Sequence, residues 1–143
     1  MVATLRFDDI AEGLEVSFEQ EVTDAHIDAF AALSGDVSPL HLDDAFARER
    51  GFPGRVAHGG LVSAFASRLF GVHLPGRDCL LHSLTMSYLH PVHAGDRLTL
   101  TARVTQRSEA ARAVVADVTV ARADGRVVAR GKAQIGFTRA APP

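Results

Sequence analysis

The residues best suited to chemistry in this sequence are a carboxylate and an imidazole five positions apart. Asp36 and His41 lie in the run Asp-Val-Ser-Pro-Leu-His. Pro39 disfavours helical backbone angles at the residue before it, so we expect a loop with a turn that brings the two side chains to one water molecule. A carboxylate and an imidazole on one water can remove and deliver protons near neutral pH. The structural alternative is that Asp36 caps a helix end or a turn and that His41 is a surface residue.

The Asp36–His41 pair is one candidate half of a site. The other candidate half lies in the run Val56-Ala-His-Gly-Gly60, at the start of a predicted helix. The first backbone N–H groups of a helix have no acceptor inside it. A glycine at position 59 lets a carbonyl oxygen approach such an N–H, and the helix dipole favours negative charge there. A plain glycine N-cap is the alternative. Water activation and an oxyanion donor are complementary halves of one site, so the two motifs together are more specific than either alone.

Other reactive side chains are better explained by structural roles. Ser67 lacks the Gly-x-Ser-x-Gly setting of an activated serine. We therefore interpret it as a hydrogen-bonding residue in the wall of the site. A helix start explains the His-x-Asp-Asp run, so no metal site is expected there. Cys79 has no basic or helix-start setting and is interpreted as structural. The side chains of metal-ligand type in this part of the chain are Asp36, His41, Asp43, Asp44 and His58.

Helices in the first half of the chain must position these residues. Helical spacing of apolar side chains predicts a helix over 24–34, with Thr23 as its N-cap and Gly35 at its end. A short helix that starts at Asp43 or Asp44 is expected to extend through Arg50, and the strongest helical pattern covers 59–69. Both candidate half-sites therefore fall in loops that connect short helices.

The second half of the chain has the period of two that is typical of strands. Three long alternating segments joined by short turns predict an antiparallel meander with one packed face. One helix over 59–69 must cover that face of a sheet of about five strands, which describes an α+β, single hot-dog fold. A single copy leaves a sheet edge exposed, so we expect a two-fold dimer that pairs edge to edge.

Composition excludes several classes of protein. The 143 residues fit one domain over 1–143, with a frayed tail at 139–143. One cysteine cannot form an internal disulfide. The 15 basic residues are scattered and the net charge is −2, so neither nucleic acid nor a membrane is expected as a partner. The first residues lack the order of a signal peptide and no long apolar run occurs, so a cytoplasmic location is expected.

The paired motifs resemble the MaoC-like, (R)-specific enoyl-CoA hydratase family. The resemblance begins with Phe30–Phe46 and Phe52–Leu61 and continues through the last strands, so it covers nearly the whole chain. The family pattern Asp-x-Asn-Pro-x-His implies that Asp36 and His41 are the catalytic pair and that the Gly59 N–H is the oxyanion-hole donor. Ser38 replaces the usual Asn, and Gly60 replaces a common Met. The residues assigned to substrate binding are Ser38, His58, Gly60 and Ser67.

The resemblance implies reversible syn addition of water to a trans-2-enoyl thioester of CoA or acyl carrier protein, giving an (R)-3-hydroxyacyl thioester in fatty-acid metabolism. It also implies a homodimer with an acyl tunnel near the dimer interface, and no metal or prosthetic cofactor. A hot-dog acyl-thioesterase is one alternative, although the helix over 59–69 lacks the carboxylate that such enzymes often carry there. A non-catalytic, acyl-binding partner subunit is the other, and the presence of Asp36, His41 and Gly59 together argues against it.

Overall fold

One antiparallel sheet of five strands, in the order β1-β3-β4-β5-β2, forms the framework. The computed structural model describes residues 1–139. The predicted meander is confirmed, because β3, β4 and β5 are neighbours in the sheet as well as in the chain. The strands are β1 (Glu15–Glu21), β2 (Cys79–Tyr88), β3 (Arg97–Ser108), β4 (Ala113–Arg122) and β5 (Val127–Phe137).

The helices are α1 (Asp24–Ser34), α2 (Pro39–Leu42), α3 (Asp44–Glu49) and α4 (Gly59–Arg68), with short helical turns at Phe7–Asp9 and Leu69–His73. The predicted ends of α1 are confirmed. The Thr23 hydroxyl accepts a hydrogen bond from the His26 N–H at 3.1 Å. Gly35 ends the helix with φ 76°, a left-handed conformation that glycine adopts without a Cβ clash.

Two local features differ from the sequence-based expectation. The segment over 39–42 was expected to be a loop, but it forms the one-turn helix α2. Pro39 is its first residue, where the fixed φ of proline favours a helix start, while Ser38 keeps the non-helical ψ of 134° that a following proline requires. The N-cap of α4 is His58, so the glycine pair lies inside the first turn of the helix.

Helix α4 buries an apolar stripe of Leu61, Val62 and Ala66 in one core cluster with the strands. The sheet contributes alternate residues of β3 and β4, which are buried on one face. These sheet residues are Leu98, Leu100, Ala102, Val104, Val114, Ala116, Val118 and Val120. The arrangement of one helix against an antiparallel sheet is the hot-dog fold expected from the sequence.

Strands β1 and β2 form the two edges of the sheet. Strand β2 carries large apolar side chains that are partly exposed, including Leu80, Leu81 and Tyr88. Among residues 1–139, no helix is long and apolar enough to span a bilayer. The expected frayed tail falls mostly on residues 140–143, which lie outside the described part of the chain.

Candidate active site

Asp36 is fixed by hydrogen bonds within its own loop, directly after α1. Its backbone N–H donates to the Ser34 hydroxyl at 3.1 Å, and that hydroxyl donates to the Phe30 carbonyl at 2.7 Å. Oδ1 of Asp36 accepts from the Ser38 N–H at 3.3 Å. One carboxylate oxygen therefore closes the turn, which leaves Oδ2 available for another partner.

His41 faces that second oxygen from helix α2. Its Nε2 atom lies 3.7 Å from Oδ2 of Asp36. The side chain is only 15% exposed, so His41 is not the surface residue of the structural alternative. Nδ1 donates to the carbonyl oxygen of Val56 at 2.6 Å, which anchors the ring to the loop before α4. The turn thus brings together the two side chains that the sequence paired.

The hydrogen bond to Val56 also defines where His41 can exchange a proton. A carbonyl oxygen only accepts, so Nδ1 of His41 carries a hydrogen, and in the neutral ring Nε2 presents a lone pair. An ionised carboxylate and this lone pair are both acceptors, and a water molecule has two hydrogens to donate. The pair can therefore hold one water by both of its hydrogens and can keep one proton taken from it.

His58 contacts both Asp36 and His41. It is buried, with 1% exposure, and Nε2 donates to the backbone carbonyl of Asp36 at 2.9 Å. Its ring stacks on the ring of His41, and Phe30 packs against it with ring centroids 4.8 Å apart. Nδ1 of His58 is buried without a hydrogen-bond partner. The structure therefore places His58 in contact with both Asp36 and His41, while its assignment to substrate binding stays a prediction.

Gly59 lies at the first position of α4 and lines a cavity of about 300 Å³ together with His41. Its N–H has no acceptor within the helix. A Cβ at this position would lie 3.0 Å from the ring of Tyr88, so the aromatic ring packs directly on the glycine backbone. Other residues around the cavity are mostly apolar, among them Val62, Leu89, Pro91, Val92 and Val128. The cavity is thus lined by apolar side chains, by His41 and by Gly59, whose N–H has no acceptor within its own helix.

The remaining predicted residues have different surroundings. Ser38 contacts Asp36 through its backbone N–H rather than through its hydroxyl. At Gly60, a Cβ would meet the Phe30 ring at 2.5 Å, so the space of a larger side chain is already filled. Ser67 is exposed on α4 and does not line the cavity beside His41. The roles of Ser38, Gly60 and Ser67 in substrate binding therefore stay predictions.

Two contacts of the site were not predicted from the sequence. The hydroxyl groups of Tyr88 and Ser63 are 2.6 Å apart, which ties strand β2 to α4 beside the cavity. Arg55 donates through Nε to the carbonyl of His41 at 2.6 Å. Tyr88 is the last residue of an alternating apolar row, and Arg55 directly precedes the Val-Ala-His-Gly run. These sequence positions could have drawn attention to Tyr88 and Arg55. Neither position indicates that Tyr88 contacts Ser63 or that Arg55 contacts His41.

Asp36, His41 and His58 also bring three ligand-type atoms within 4.8 Å of one another. The two imidazoles are stacked 3.9 Å apart with an interplanar angle of 27°, so the planes that contain their nitrogen lone pairs are nearly parallel and do not meet at one nearby ion. The other acidic residues considered for a metal have separate partners. Asp43 caps α3, and Asp44 accepts from the Arg55 N–H at 2.9 Å. The cluster is better suited to proton transfer than to metal binding.

Comparison with known proteins gives a family and close structural relatives. The model of the MaoC-like domain family matches residues 7–125. An (R)-specific enoyl-CoA hydratase of Rhodospirillum rubrum is 33% identical over 129 residues, covering 90% of this chain and 89% of that protein. An enzyme of the same name from Aeromonas caviae is 38% identical over 103 residues, covering 69% of this chain and 77% of that protein.

Solved structures agree with the fold described above. R-hydratase PhaJ1 of Pseudomonas aeruginosa, in its unliganded form, superimposes with a TM-score of 0.90 at 27% identity, covering 99% of this chain and 96% of that one. The family match extends over most of the chain and includes both candidate half-sites. The chain therefore belongs to the MaoC-like domain family, with the single hot-dog fold expected from its sequence.

Proposed function

We propose that this protein is a hydratase and dehydratase that interconverts trans-2-enoyl thioesters and (R)-3-hydroxyacyl thioesters. The observation that carries the proposal is the 3.7 Å approach of Asp36 Oδ2 to His41 Nε2, beside a cavity that Gly59 also lines. Related proteins named (R)-specific enoyl-CoA hydratase and 3-hydroxybutyryl-CoA dehydratase support the reaction class. Other relatives are named 3-hydroxyacyl-[acyl-carrier-protein] dehydratase, so CoA and acyl carrier protein are both candidate carriers.

In hydration, the proposed pair holds a water molecule through Asp36 Oδ2 and His41 Nε2. The oxygen of that water forms a bond to C3 of the enoyl group, and one of its O–H bonds breaks. The pair takes the released proton and returns a proton to C2, so water adds across the double bond. Dehydration is the same path in reverse, and the acid–base contribution of such a pair is about 10²–10⁴-fold in rate.

The Gly59 N–H is the proposed partner of the thioester carbonyl. Hydration at C3 moves negative charge onto that oxygen as an enolate develops. The Gly59 N–H at the start of α4 can donate a hydrogen bond to this oxygen, and the positive end of the helix dipole there stabilises the negative charge. Tyr88 packs closely on Gly59 and leaves no space for a side chain at this position. Gly59 would then polarise the carbonyl of the same substrate whose C3 is attacked by the water that Asp36 and His41 hold.

Consumption of the conjugated absorbance of crotonyl-CoA by the purified protein tests the proposal. We expect the absorbance to fall without release of free CoA thiol. Thiol release in proportion to substrate loss would instead identify a thioesterase, whose reaction attacks the carbonyl carbon. An inactive protein that gains activity only with a second hot-dog chain would identify a partner subunit. Chain-length profiles with CoA and carrier-protein thioesters would then define the substrate.

We also propose that two copies pair through the edge strand β2. The partly exposed apolar side chains of this strand, Leu80 at 48% and Leu81 at 36%, support the proposal because burial against a partner would remove them from water. Light scattering should give twice the mass of the chain, and a monomer mass would contradict it. The single domain over 1–143 and the cytoplasmic location stay predictions.

A further inference from the structure

Arg55 lies at the centre of a polar network behind the catalytic pair. Its side chain is only 13% exposed. Nη1 donates to Oδ1 of Asp24 at 3.2 Å, and Nη2 donates to Oδ1 of Asp28. Nε donates to the backbone carbonyl of His41 at 2.6 Å. One guanidinium therefore connects two carboxylates of α1 with the residue that carries the imidazole.

The backbone of residues 55 and 56 forms further hydrogen bonds with α2. The Val56 N–H donates to the Leu40 carbonyl at 3.1 Å, and the Val56 carbonyl accepts from His41 Nδ1 at 2.6 Å. The backbone of Arg55 is itself held, since its N–H donates to Asp44 and its carbonyl accepts from His93 Nδ1 at 2.9 Å. Residues 55 and 56 thus fix both the main chain and the ring of His41.

Helix α2 needs this external support because it has only four residues. A single helical turn has too few internal hydrogen bonds to be stable alone. The positive guanidinium also donates to a carbonyl at the end of α2, where helix carbonyls lack N–H donors within the helix and the dipole is negative. A lysine could not reproduce these contacts. Its single ammonium group cannot replace a planar guanidinium, which donates at once to the His41 carbonyl and to two carboxylates of α1.

From these contacts we propose that Arg55 is a positioning residue, which fixes the imidazole of His41 against Asp36 by clamping the backbone of α2 to α1. The proposal rests on the proposed hydratase activity for its kinetic consequence only. Arg55 itself does not line the cavity beside Gly59, and its hydrogen bonds described above go neither to Asp36 nor to the imidazole of His41. Its effect on the reaction must therefore pass through His41.

A double-mutant cycle tests this dependence. We expect Arg55→Ala to lower kcat about tenfold with little change in KM, because a small displacement of an acid–base group slows the reaction without weakening substrate binding. In a His41→Ala background, the same change should lower the residual rate by less than about twofold, since the group that it positions is already absent. An equal loss in both backgrounds would overturn the proposal.

Matched variants separate positioning from general stability. Arg48→Ala removes an arginine of α3 whose Nε donates to the Pro53 carbonyl at 3.3 Å, and it should retain wild-type kcat. Arg55→Lys keeps the positive charge but lacks the planar guanidinium. Its kcat should be close to the kcat of Arg55→Ala. Full activity in Arg55→Lys would overturn the proposal. If Arg55→Ala does not fold, Arg55→Lys takes its place in the cycle with the same criteria.

A readout that does not require activity separates the inference from the proposed function. Long-range ¹H–¹⁵N spectra of histidine rings report which nitrogen carries the hydrogen. We expect the Nδ1–H form of His41 in the wild type and a mixture of tautomers in Arg55→Lys, because the ring loses its fixed distance to Val56. Unchanged His41 signals in the variant would overturn the positioning role. An inactive wild type with the expected spectral change would overturn only the proposed function.

Discussion

The imidazole of His41 stacks on the imidazole of His58, with ring centroids 3.9 Å apart and planes inclined by 27°. His58 also donates from Nε2 to the backbone carbonyl of Asp36. One buried side chain therefore contacts both members of the proposed catalytic pair, the ring of His41 and the main chain of Asp36. The orientation of His41 against Asp36 depends on this contact as well as on Val56.

Substitution of His58 by phenylalanine should separate stability from activity. The phenyl ring keeps the stack, removes the buried and unpartnered Nδ1, and loses one hydrogen bond. These effects offset, so we expect the free energy of unfolding to change by less than about 1 kcal/mol. The kcat should fall about tenfold, because the Asp36 loop loses its anchor. Urea denaturation and crotonyl-CoA hydration measure the two quantities.

His58→Ala is the matched comparison, because it removes the ring as well as the hydrogen bond. The cavity that it creates should lower the free energy of unfolding by about 3 kcal/mol. Wild-type kcat in His58→Phe would contradict the supporting role that we assign to this residue.

Alanine at Gly59 should impair catalysis through a steric effect. The new Cβ would lie 3.0 Å from the Tyr88 ring, so either the ring or the start of α4 must move. We expect kcat to fall about tenfold and to recover in part when Tyr88→Val is added. Gly71→Ala is the control, since a Cβ at that position meets no atom within 4 Å. Full activity in Gly59→Ala would show that close packing here has no catalytic consequence.

Ser38→Ala tests how the loop holds Asp36. The contact to Oδ1 comes from the backbone N–H of Ser38, so removal of the hydroxyl leaves it intact. We expect kcat to remain within about threefold of the wild type, because neither Asp36 nor His41 loses a partner. A loss of more than about tenfold in the hydration assay would show that the hydroxyl itself acts on the water or the substrate.

Cys79 should react slowly with thiol reagents. Burial raises the pKa of the Cys79 thiol above its ordinary value, so less thiolate is present at pH 8 than in a free peptide. The reaction rate in the folded protein should rise with pH and should reach the peptide rate once urea unfolds the chain. A folded-state rate equal to that of the unfolded chain would contradict this assignment. Cys79→Ser provides a thiol-free protein for the CoA-release assay.

The sequence predicts those parts of the molecule that depend on local patterns. The ends of α1 follow from Thr23 and Gly35, whose capping roles involve only neighbouring residues. The alternating rows of β3 and β4 are equally legible, because one face of each strand is buried. Helix α2 was missed, since a single turn is too short to show a period of 3.6 residues.

The approach of Asp36 to His41 is predictable from the sequence, but the residues that support these two side chains are not. Asp36 and His41 are close in sequence, and the proline turn between them accounts for their approach. Arg55 was missed because its partners lie 14 to 31 residues away, and no local pattern links them. The stacking of His58 on His41 likewise depends on how the loop before α4 folds against α2.

A comparison of Asp36 with Asp117, a carboxylate of similar exposure, tests the assignment of the catalytic pair most directly. Asp36 is 51% exposed and lies 3.7 Å from His41, while Asp117 is 53% exposed and lies 3.5 Å from Lys132 on the sheet. Asp36→Asn should lower kcat for crotonyl-CoA hydration by about 10²–10⁴-fold, because an amide cannot take the proton of water. Asp117→Asn should leave it unchanged. Equal rates in wild-type protein, Asp36→Asn and Asp117→Asn would contradict the assignment of the catalytic pair.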